Sequence, residues 1–143
     1  MDSLSDSTES TSPLTQRLMQ PDLTKSERRT VRELAGLSWD RQLRDEILII
    51  GNAIREMQSE KTSPHDVNDL IHRFHNGASR ELYKRYSGNT PWLAVCRAHF
   101  DGILTDADIE GASENVRNGI REFASTYRKI NGIEPLADGD SVG

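Results

Sequence analysis

A chain of 143 residues with 34% hydrophobic content is one domain's worth of sequence and is long enough to bury a core. Its formal charge of −5 is set at the two ends: Asp2, Asp6, Glu9 and Asp22 outweigh Arg17, and Glu134, Asp138 and Asp140 have no base near them. The middle is close to neutral, which argues against a nucleic-acid binder that is basic as a whole domain.

One cysteine, Cys96, excludes an intrachain disulfide and fits a reducing compartment. The acidic, Ser/Thr-rich N-terminus lacks the apolar run of a signal peptide. No stretch approaches the ~20 apolar residues needed to span a bilayer. A cytoplasmic protein with no membrane association is expected.

Residues 1–22 have the composition of a disordered tail, with Leu14, Leu18 and Met19 available for a short docking turn. Thr24-Lys25-Ser26-Glu27 then has capping-box form and opens one long helix over about 24–59. Val31, Ala35, Trp39, Leu43, Ile47, Ile50, Ile54 and Met57 recur every three or four residues as an inward stripe. The run Ile47-Leu48-Ile49-Ile50 widens that stripe and predicts a helix covered on two sides at its middle. Gly51 weakens it by roughly 1 kcal/mol against alanine.

Ser63 and Pro64 supply the cap and first position of a second helix, expected over 64–86. Val67, Leu70, Ile71, Phe74, Ala78 and Leu82 should point inward, and Gly77 fits either a close helix contact or a bend after His75-Asn76. Thr90-Pro91 repeats the start for a short third helix over 91–102, with Trp92, Val95, Cys96 and Phe100 on its apolar side. Thr105, with Asp108 at the third helical position, caps a fourth helix over 105–131, which Asn131-Gly132 ends. Residues 133–143 read as a second disordered acidic tail.

The fold class that follows is all-α, a four-helix bundle over 23–132 built on a long helical hairpin. Its short linker favours antiparallel packing, which sets Trp39 opposite Tyr83 and Ile47 opposite Phe74 and His75. The first helix overhangs its partner by about a dozen residues, on the order of 18 Å. The third and fourth helices must cover that overhang, or a second copy of the chain as a homodimer must. Trp39, Tyr83, Tyr86 and Trp92 are expected to cluster.

His65, Asp69, His72 and His75 align along one helix and have the chemistry of a zinc or iron site. Metal sites in bundles recruit several helices, so no metal and no cofactor is expected. Asp106, Asp108, Glu110 and Gly111 resemble the opening of a calcium loop, but the position that needs a bidentate Glu is Arg117. There is no Gly-rich phosphate loop and no Arg-x4-His pair of the helical ribonuclease kind. Cys96 on an apolar helix face reads as a small buried hydrophobe.

Two groups of bases remain. Lys25, Arg28, Arg29 and Arg32 crowd the start of the first helix, and Arg80, Lys84 and Arg85 end the second. The hairpin would bring them into one basic pole, solvated or paired with acids such as Asp106 and Glu110. The run from His72 to Tyr86 carries more His, Asn, Arg and Tyr than packing requires. The expected function is a non-enzymatic interaction or regulatory module that contacts a protein partner. The contact residues would be His72, Arg73, His75, Asn76, Arg80, Tyr83, Lys84 and Arg85, with Arg28, Arg29 and Arg32. Binding of nucleic acid or a phosphoanion by the same bases is the alternative, and a metal-dependent enzyme of unfamiliar type comes third.

Overall fold

The computed structural model describes residues 21–133, which are all-α, with no strand among them. The helices are α1 (Lys25–Gln58), α2 (Pro64–Phe74), α3 (Arg80–Tyr86), α4 (Pro91–Phe100), α5 (Asp106–Ile109) and α6 (Glu114–Ile130). A π-helical turn, His75–Ser79, joins α2 to α3. The docking turn expected around Leu14, Leu18 and Met19, and most of both tails, lie outside the described residues.

Local chemistry sets the helix ends. Thr24 and Glu27 form the capping box of α1, with each side chain bonded to the other's backbone N–H at 2.9 and 3.1 Å. Glu60, at φ 62°, ends the helix in the left-handed region, and the Lys61 N–H reaches back to the Glu56 carbonyl at 2.8 Å. Gly102 and Gly132 close α4 and α6 with the same backward bond. Glycine meets the positive φ there without penalty, whereas Glu60 carries a Cβ in that conformation.

Two expected helices are interrupted. The second gives way to the π-helical turn at His75–Ser79, centred on Gly77. Nothing lies within 4 Å of where a Gly77 Cβ would stand, so close helix packing does not explain this glycine. The fourth stops at Ile109, and Ser113 caps a new start by accepting the Val116 N–H at 3.1 Å. Thr90 makes no side-chain cap bond, so α4 begins on Pro91 alone.

The core is built at one end of α1. Val31, Leu34, Ala35 and Ser38 are buried against α4, whose Val95 and Cys96 have no exposed surface. Leu82, Tyr86, Trp92, Leu104, Ile109, Val116, Ile120 and Phe123 complete the cluster. Ser38 is buried without penalty because its hydroxyl donates to the Leu34 carbonyl at 2.8 Å. Beyond Leu43, α1 leaves this head. The expected coverage on two sides is not found: Ile47, Leu48, Ile49, Ile54 and Ile71 remain exposed, and the buried residues of α1 all lie between Val31 and Ser38.

Two polar joints hold the head to α1. Arg41 donates to both Asp108 carboxylate oxygens at 2.7 and 2.9 Å and to the Ile103 carbonyl at 2.8 Å. That guanidinium, with the Thr105 cap bond, holds the Asp108 carboxyl well below the usual range, and Asp108 in turn raises Arg41. At the other joint Glu27 accepts from the Ser113 hydroxyl at 2.6 Å and from the Asn115 amide at 3.2 Å. These bonds and its cap bond lower Glu27 to about 2.

Both carboxylates are depressed in the folded state. Their contribution is therefore complete above the unfolded value of 4.5 for Glu27 and is lost as pH falls toward about 2. The melting temperature should drop across that window, and Glu27→Gln with Asp108→Asn should flatten the drop. A slope unchanged by that double substitution would count against the joints. Separately, a Cβ at Gly119 would lie 2.8 Å from the Trp92 ring, so Gly119→Ala should destabilise the head by about 1–3 kcal/mol in urea denaturation.

Candidate interaction surfaces

Both α2 and α3 pack against α1. Trp39 of α1 meets Tyr83 edge-on, centroids 6.0 Å apart, and stacks on Tyr86 at 6.3 Å. The Tyr86 hydroxyl donates to the Gln42 side chain. Half-buried Leu43, Ile50, Ala53 and Met57 on α1, with Val67, Leu70 and Phe74 on α2, mark the seam of the two-helix arm.

At 3.6 residues per turn, Ile47, Gly51, Ile54 and Gln58 form one row beside that seam. On α1 the same period sets Ile49 on the opposite side from Ile47 and Ile54 and Leu48 on the outer edge, and Ile71 is exposed on α2. All five are between 38% and 57% exposed. His72, Arg73, His75 and Asn76 are exposed around this arm.

The bases expected at a single pole divide between two hollows. Arg28 and Arg32 line a groove of about 600 Å³ with Val31, Trp39, Tyr86 and Trp92. Arg28 is partly committed, since it donates to the Leu23 carbonyl at 2.8 Å. Arg85 lines a separate cleft together with Asp45, Glu46 and Glu81. Arg29, Arg80 and Lys84 are exposed. The pairing expected with Asp106 is not formed: that carboxylate takes the His99 ring at 2.9 Å instead.

Among the described residues no three His, Cys, Asp or Glu side chains are placed to hold a metal ion. Cys96 is fully buried, and burial pushes its thiol far above the ordinary value, leaving a neutral packing residue. Sequence reasoning missed Arg41. The sequence pairs its neighbour Arg44 with Asp40 one turn back but offers Arg41 no such partner, and only the approach of α5 supplies one.

Of the expected aromatic cluster, Tyr86 is buried, whereas Tyr83 is 61% exposed. Tyr86→Ala should cost about 3–5 kcal/mol in urea denaturation. Tyr83→Ala should cost less than about 1 kcal/mol. Equal losses would mean that both rings are packed alike.

Compared with known proteins, the chain matches no family model, no curated protein and no solved structure.

Proposed function

We propose that the protein is a non-enzymatic interaction or regulatory module that docks a protein partner through its two-helix arm. The observation that carries this reading is the group of five large aliphatic side chains left exposed on α1 and α2 beyond the head. Removing apolar surface from water is worth about 25 cal/mol per Å². The fold of the single chain leaves that gain unused on the arm, most of all along the row of Ile47 and Ile54, and exposed large aliphatic side chains in such a row suit a binding surface. His72, Arg73, His75 and Asn76 supply polar groups for the rim of such a contact. A reducing, cytoplasmic setting belongs to the same reading and rests on the lone buried thiol of Cys96.

A second reading has one observation in its favour. Arg28 and Arg32 share their groove with the rings of Trp39, Tyr86 and Trp92, a combination suited to a phosphate-bearing or nucleotide-like ligand. Salt separates the two. Binding to polyanions falls steeply with ionic strength, whereas a packed apolar contact does not.

The test is capture of the partner from native host extract on full-length protein, read by mass spectrometry. Ile47→Asp with Ile54→Asp should keep the circular-dichroism spectrum and the melting temperature, since neither side chain belongs to the core, and should lose the captured protein. Retention by that variant would overturn the arm reading. Loss through Arg28→Glu with Arg32→Glu instead would favour the groove.

A further inference from the structure

The groove of Arg28 and Arg32 opens where the described chain begins. Pro21, Asp22 and Leu23 line it, so residues 1–20 leave directly from its rim. One wall is the first half of α1, where Val31 and Trp39 supply apolar surface and Gly36 lies between them. Nothing stands within 4 Å of the place of a Gly36 Cβ, so no described side chain uses that space. A glycine inside a helix weakens it against alanine, and on a groove wall it serves where another backbone comes close.

We propose that the occupant of this groove is the chain's own segment 14–20, which folds back over Trp39 and shields the groove from other ligands. The groove is a surface other than the arm, and the proposal stands apart from the docking reading above. The sequence of the segment fits the place. Leu14 and Leu18 are one helical turn apart with Met19 beside them, so one side of a turn would present three large apolar groups to Val31 and the rings. Ser12-Pro13 repeats the cap-and-proline pattern that opens α2 at Ser63-Pro64.

Length agrees as well. As a helical turn, 14–20 is about 10 Å long, within the roughly 17 Å from Arg28 to Trp39 along α1. Charge points the same way: residues 1–20 carry Asp2, Asp6 and Glu9 against Arg17, while the groove presents Arg28 and Arg32 against Asp22. The tether then makes modest contacts sufficient. A segment joined to its site by so short a link is held there at about millimolar effective concentration.

The test is paramagnetic relaxation in the full chain. Cys96 has no exposed surface, so a nitroxide attaches only at the Ser12→Cys position. Trp39 and Trp92 are the two tryptophans of the chain and both line the groove, so their indole N–H resonances report on it. With the label oxidised, both resonances should lose most of their intensity, and reduction of the label should return it. Leu14→Asp with Leu18→Asp should restore them with the label still oxidised. Gly36→Leu should do the same, since it fills the wall without lowering helical content. Leu4→Asp, outside the segment, should leave the broadening as it is. Resonances untouched by the oxidised label overturn the proposal and leave the groove to a ligand from outside the chain. Broadening that survives Leu14→Asp with Leu18→Asp overturns it too, because the tether alone would then account for the proximity.

Discussion

The contact between the first turns of α1 and α4 is what the rest of the molecule depends on. Val31, Leu34, Ala35 and Ser38 present a strip of mostly small side chains to Ala94, Val95, Cys96 and Ala98, all of them buried. Small residues on both sides let the backbones come close, and the Ser38 hydroxyl is silenced by its own helix at Leu34. Once that contact forms, Trp92 is carried over Gly119, and α6 is brought across the far side of α4. The head is therefore a closed core hung on the N-terminal part of a helix of 34 residues.

Polar joints then fix the orientation that apolar packing alone would leave loose. Arg41 reaches a carboxylate and a backbone carbonyl on the segment after α4, and its planar fork suits the two oxygens of Asp108. Glu27 serves its own helix as a cap and receives Ser113 and Asn115 from the start of α6. Both joints attach the head to residues 27–41 of α1. Neither restrains the arm, which is held by the α1–α2 seam and by the turn at Glu60.

This division gives the proposed function its physical basis. The arm carries large aliphatic side chains in a regular row, stiffened by α1 running unbroken into the head. A partner docked there, as proposed, would be held at a fixed angle to the groove and to the polar residues of α2. The π-helical turn at His75–Ser79 lies where α2 passes from arm to head, and turns of this type are frequent at functional sites. Among the described residues no helix is long and apolar enough to cross a membrane, and the exposed isoleucines belong to an amphipathic arm.

The sequence by itself determined the all-α class and where most of the helices begin, because caps and periodicity are local. Thr24 with Glu27, Ser63 with Pro64, and Thr105 with Asp108 stand where their bonds form in the structure. Ser113 was an equally local signal, hidden because the apolar stripe runs unbroken from Ile109 through Val116. Burial was not local. The repeat that places Val31 and Ala35 in the core continues through Ile47 and Ile54, and a helical period cannot say where the covering helices stop. Only the tertiary structure decided that burial on α1 stays between Val31 and Ser38, that Tyr86 rather than Tyr83 turns inward, and that Arg41 is matched while Arg28 and Arg85 go to separate hollows. Each of these outcomes follows from the position of an element distant in the chain, which is a property of packing and not of spacing.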